Sequence, residues 1–212
     1  MNEKFYQLKI TLTDSQPAIW RQFVVPASIS LDRLHDVIQI VMGWQDSHLH
    51  EFHIGKLRLT EMPEDPSNGK EECAYRLIDL IKQKGRSFSY IYDFGDSWEH
   101  EIILENNHYP ESDLPLPFYC LDGARACPPE DTGGIYGYEN LIEILNDPDH
   151  EEYEETLQWI NESLGLSENE HFDPEQFYPD NINAFLALYY RWSRDRNHPL
   201  WNHEAQGNRM ND

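Results

Sequence analysis

Residues 5–42 read FYQLKITLTDSQPAIWRQFVVPASISLDRLHDVIQIVM, and the period of the apolar positions changes once within them. Tyr6, Leu8, Ile10 and Leu12 recur every second residue, as do Ile19, Arg21, Phe23 and Val25, so each set lines one face of a strand. A polar turn around residues 14–17, with Asp14 and Pro17, separates the two runs and predicts an antiparallel hairpin. From Leu31 the period lengthens. Leu31, Leu34, Ile38, Val41 and Met42 trace a helical stripe, with Ser30 placed as N-cap and Gly43 as terminator. Strand, strand, helix opens an α+β domain in which an antiparallel or mixed β-sheet packs with helices.

The pattern continues outward from there. Residues 48–54 alternate again, Gly55 interrupts them, and residues 56–60 extend the strand pattern before a loop over 63–69. Cys73, Leu77, Leu80 and Ile81 predict a helix closed by Gly85. Strands over 88–92 and 98–104 flank a turn at Asp93-Phe94-Gly95-Asp96. Residues 106–138, rich in proline and glycine, read as an extended loop. Acidic helices are expected over 139–145 and 151–160, and Ile182, Phe185, Leu186, Tyr189 and Trp192 stripe a third. A single α+β domain over 3–195 is expected, with a helical extension over 161–195 and a tail over 196–212.

The chain has 212 residues, and 39% hydrophobic content suffices for one core without disulfide or metal staples. Its longest apolar run, residues 184–190, is far short of a membrane-spanning helix, and residues 1–4 lead into a strand without a signal-peptide core. Three cysteines fit a reducing compartment, so a cytoplasmic setting is expected. With 16 Lys plus Arg against 39 Asp plus Glu, the net charge of -23 repels nucleic-acid phosphates and disfavours direct nucleic-acid binding. A basic protein is the partner such a surface would attract, although a solvated acidic face needs no partner at all.

Four motifs stand out: Trp20-Arg21; Trp44 followed by His48-Leu49-His50-Glu51-Phe52; Tyr92-Asp93-Phe94-Gly95-Asp96-Ser97-Trp98-Glu99-His100; and Cys120-Leu121-Asp122-Gly123 running to Cys127-Pro128-Pro129-Glu130-Asp131-Thr132-Gly133-Gly134. Together, in this order and over about residues 6–160, they resemble the plasmid pRiA4b ORF-3-like family. The resemblance implies a mixed α+β domain from a plasmid-associated family found in bacteria and archaea, and it brings no established activity or catalytic residues. The sequence holds no helix-turn-helix with a basic recognition helix that would point to a repressor.

The chemistry-bearing residues fit two roles. His48 and His50, at i and i+2 on a strand, share one face at a spacing used by His-x-His metal sites. Asp93 or His100 would complete the ligand set for a divalent metal such as zinc, with Asp96 or Glu130 as general base and Asp131 beside them on the long loop. Equally, His50 and His100 sit among apolar neighbours and suit buried imidazoles held by carboxylates. The Asp-Phe-Gly triplet lacks the accompanying kinase loops and reads as a tight turn. Cys120 and Cys127 have six residues between them, wider than the usual zinc spacing, and read as thiols in a binding loop or its packing. The two functional hypotheses are an interaction module that engages a basic protein and a divalent-metal-dependent hydrolase.

Overall fold

The computed structural model describes residues 3–63, 65, 69–167 and 170–195; the expected tail over 196–212 lies outside them. Strands β1 (Phe5–Leu12) and β2 (Trp20–Pro26) form the expected hairpin, with Leu8 opposite Phe23 and Ile10 opposite Arg21. Helix α1 (Leu31–Met42) follows between Ser30 and Gly43, whose left-handed conformation lets its N–H close on the carbonyl of Gln39. Next come β3 (His50–Ile54), β4 (Leu57–Thr60), β5 (Lys70–Glu71), α2 (Leu77–Leu80), β6 (Ser87–Tyr92) and β7 (Trp98–Tyr109). The chain closes with β8 (Tyr119–Ala124), α3 (Gly134–Leu145), α4 (Tyr153–Leu164) and α5 (Pro179–Asp195).

One sheet holds all eight strands in the order β5-β4-β3-β6-β7-β1-β2-β8, and the β4–β5 pair alone is parallel. Register explains its two faces. Phe52 lies opposite Tyr90, Tyr90 opposite His100 and His100 opposite Leu12, while Tyr92 pairs with Trp98. These side chains share the face that α1 covers, and all are buried. The intervening positions, among them Gln7, Gln22 and Glu105, turn to the opposite, polar face, where both glutamines donate to the Glu105 carboxylate. Removing a core methyl cluster such as that of Ile10 would cost about 2–5 kcal/mol.

Two sequence expectations need correction. The predicted helix around Cys73–Ile81 breaks into a 3-10 turn (Glu72–Ala74) and the single-turn α2, because Tyr75 and Arg76 between them are extended. The backbone there bonds the segment before α1: Leu31 N–H donates to Tyr75, Leu77 N–H to Ile29 and Ile78 N–H to Ala27. The proline-rich stretch is also less irregular than its composition suggests. It contains the edge strand β8, whose outer backbone is capped by the Asn183 amide of α5, accepting from Cys120 N–H at 2.8 Å and donating to Cys120 O at 3.0 Å. Among the described residues no helix is long and apolar enough to cross a membrane.

Buried Arg21 ties the helix to the sheet. Its guanidinium donates to the carbonyls of Val41, Met42 and Ala124 and lies over the Phe177 ring, so this cation answers the carbonyl end of α1.

Candidate functional site

At the end of β6 the chain turns sharply. Asp93 and Ser97 both adopt left-handed backbone conformations, φ +56° and +57°. The Asp93 Oδ1 accepts from Gly95 N–H at 2.8 Å, and Asp93 N–H donates to Leu49 O at 2.9 Å. An aspartate tolerates this conformation because its short carboxylate bonds the turn locally. The next carboxylate acts as a clamp: Asp96 Oδ2 accepts from Gly133 N–H at 2.9 Å. Gly134 then passes so close that a Cβ there would stand 2.5 Å from the Asp96 carbonyl, which leaves room for glycine only. These contacts zip the 130–134 loop onto the Asp93 turn.

Three carboxylates consequently surround His48. Its Nε2 lies 3.3 Å from Asp131 Oδ1, 3.7 Å from Asp93 Oδ2 and 3.7 Å from Glu130 Oε2. The ligand atoms of His48, Asp93 and Asp131 all fall within 4.8 Å of one another. Asp93 and Glu130 are buried, whereas Asp131 is exposed and opens the group to solvent. Glu130 is fixed through one oxygen: Oε1 accepts from Gln45 N–H at 2.7 Å and from the Tyr92 hydroxyl at 3.0 Å, and that hydroxyl accepts from Ser47 N–H at 2.8 Å. The other oxygen, Oε2, is buried without a hydrogen-bond partner, as is His48 Nε2. Burial and the neighbouring Glu130 raise the pKa of Tyr92, which keeps the phenol protonated as a donor.

The spacing decides what this group can hold. Hydrogen-bonded N···O pairs stand at about 2.7–3.2 Å. Donors sharing a metal at bond lengths of about 2.0–2.2 Å stand roughly 3.3–3.6 Å apart in tetrahedral geometry. Among the described residues no Lys or Arg forms an ion pair with Asp93, Glu130 or Asp131. Two buried carboxylates and an exposed third therefore face a single imidazole, an arrangement whose negative charge a divalent cation would balance.

The remaining sequence candidates lie elsewhere. His50 turns away from His48 and meets Glu72, with Nε2 at 2.9 and 3.0 Å from its two oxygens. Its ring stacks on His35 at 3.5 Å between centroids and 7° between planes. His35 in turn contacts Asp46 at 2.9 Å and the Tyr90 hydroxyl at 2.8 Å. His100 is buried beneath Trp44 and Tyr90, and burial lowers its pKa to about 4, so it is a neutral core imidazole. The pairing of His48 with His50 and His100 in one ligand set thus gives way to His48 with carboxylates, because His48 precedes β3 while His50 and His100 lie inside the sheet. Asp96 is spent on its backbone clamp. Burial pushes the Cys120 thiol up to about 11 and raises that of Cys127 as well, so neither is a thiolate at neutral pH. Sequence reading missed Tyr92, whose signal was its place next to Asp93 on the Trp98 face, and the pair of buried His35 with exposed Asp46, signalled by polar His35 and Gln39 one turn apart beside the apolar stripe of α1.

The sequence profile of the plasmid pRiA4b ORF-3-like protein matches residues 4–181, most of the described fold and every member of the His48 cluster. The chain belongs to that family. Within reach of the same pattern is the uncharacterized protein y4hQ of Sinorhizobium fredii, 40% identical over 159 residues that cover 74% of this chain and 81% of the relative. A crystal structure of a protein of unknown function from Methanosarcina mazei Go1 superposes with a TM-score of 0.72 at 35% identity, covering 85% of this chain and 98% of its own. The Methanosarcina mazei protein shares the architecture of this pRiA4b ORF-3-like chain, and neither relative's description assigns an activity.

Proposed function

We propose that this pRiA4b ORF-3-like protein is a divalent-metal-dependent hydrolase with His48, Asp93 and Asp131 as ligands and Glu130 as general base. The observation that carries this reading is the orphaned pair of buried atoms, His48 Nε2 and Glu130 Oε2, facing each other at 3.7 Å with two more carboxylates alongside. A cation there would polarise a water molecule for attack on an ester or amide. Glu130 Oε2 is oriented to accept that water's proton because Oε1 is already held by Gln45 and Tyr92. Exposed Asp131 leaves a path for substrate. Three free cysteines support a reducing, cytoplasmic setting for the protein.

The test is metal content by elemental mass spectrometry on untagged protein purified without chelators, followed by calorimetric titration with zinc and manganese. Near-stoichiometric metal in the wild type, lost in His48→Ala, is the expected result. Glu130→Gln should retain metal while lowering hydrolysis about 10²- to 10⁴-fold. A wild-type protein that takes up neither ion would overturn the reading. An interaction module for a basic protein is favoured by a different observation, an acid-rimmed pocket beside α3.

A further inference from the structure

Helix α3 presents one face to the Ser15–Gln16 turn, and between them lies a pocket of about 240 Å3. The lining positions run along α3 from Ile135 through Tyr138 and Ile142 to its C-cap Asn146, recurring at three- and four-residue intervals, so they form a single helical stripe. Ile135 and Ile142 are half-buried and give the floor its apolar part, while Tyr138, 3% exposed, adds a buried hydroxyl without a hydrogen-bond partner. Glu139 and Glu143 stand exposed one turn apart at the rim.

Charge selects the occupant. The cation in the wall, Arg125, is already answered: its Nε donates to Glu175 at 2.8 Å and its Nη1 to Pro17 O at 3.0 Å. Among the described residues no Lys or Arg forms an ion pair with Glu139 or Glu143. An anion entering the pocket would meet these two carboxylates in a chain whose net charge is already -23. A cation on an aliphatic stem would lay the stem on Ile135 and Ile142 and set its head between the glutamates, the division long basic side chains adopt at interfaces.

We propose that this pocket binds an alkylammonium group, supplied by a lysine of a basic protein or by a free diamine. None of its residues belongs to the His48 cluster, so the inference stands apart from the hydrolase reading.

Methyl NMR of the full chain tests it, with putrescine and Nα-acetyl-lysine methylamide as the two amine arms and butyrate as the charge-reversed control. Saturable shifts of the Ile135 and Ile142 methyls are expected with an amine and not with butyrate. Glu139→Gln and Glu143→Gln should each weaken the effect roughly two- to fivefold, and added salt should weaken it further. Both glutamates are exposed, so the variants should melt as the wild type does, and a melting scan confirms that they are folded. Tighter binding of the lysine amide assigns the pocket to a protein partner; tighter putrescine assigns it to a free polyamine. Failure of both amines to saturate, equal shifts from butyrate, or undiminished binding in the two variants would overturn the proposal.

Discussion

Two groups of histidines and carboxylates share the short stretch from Asp46 to His50, the first taking Asp46 and His50 and the second His48 between them, and they are built in opposite ways. In the interior group every contact is at hydrogen-bond distance: His50 to Glu72 at 2.9 Å, His35 to Asp46 at 2.9 Å and to Tyr90 at 2.8 Å. Around His48 the contacts open to 3.3–3.7 Å, and two buried polar atoms go without partners. A buried polar group left unpaired costs about 1–3 kcal/mol, so the His48 group is unfinished by the standard the interior group sets. The same residue types thus serve stability in one place and await a ligand in the other.

The contrast can be broken most forcefully from the interior. His50→Ala strands the buried Glu72 carboxylate and should destabilise the fold by about 3–5 kcal/mol in urea unfolding, while metal affinity at His48 stays near wild type. Replacing both partners, His50→Leu with Glu72→Leu, should restore most of that loss. An equal loss of metal affinity in His50→Ala would instead merge the two groups into one.

His100 sharpens the comparison through pH. Its folded pKa of about 4 lies below the ordinary 6.5, so the unfolded chain binds the extra proton between those values. Its contribution is level above about pH 6.5 and falls as the pH drops toward 4, losing about 2 kcal/mol between pH 7 and pH 5. His100→Leu should flatten that part of the acid limb, measured as the urea midpoint at the two pH values.

Smaller effects are expected from the residues that trim the His48 group. Tyr92→Phe removes a donor to Glu130 Oε1 and should weaken metal binding about tenfold by calorimetry, with Ser47 N–H losing its acceptor. Asp131→Asn, at an exposed position, should lower metal affinity severalfold and leave the melting temperature unchanged, since surface charges contribute little to stability.

The β1–β2 hairpin, α1 and the β6–β7 hairpin were legible in the sequence because local periodicity and turn chemistry specify them: alternation at Tyr6 to Leu12, the stripe from Leu31 to Met42, the Asp93 turn. The α2 region was not, since helical spacing at Leu77 and Leu80 was overridden by long-range backbone pairing with residues 27–31, and β8 escaped because its hydrogen bonds come from distant Trp20–Val24 and Asn183.

For the candidate site, the sequence by itself determined which residue types were on offer: His48, Asp93 and the Glu130-Asp131 pair, in three motifs each some forty residues from the next. Only the tertiary structure decided that these four meet while His50 and His100 turn into the core. Side-chain direction at a strand end depends on register and on what a loop packs against, and here the Asp96–Gly133 clamp brings the Glu130-Asp131 segment to the Asp93 turn. Periodicity reports which face a residue takes along its own element; closing a site from separate elements rests on contacts that no single segment encodes.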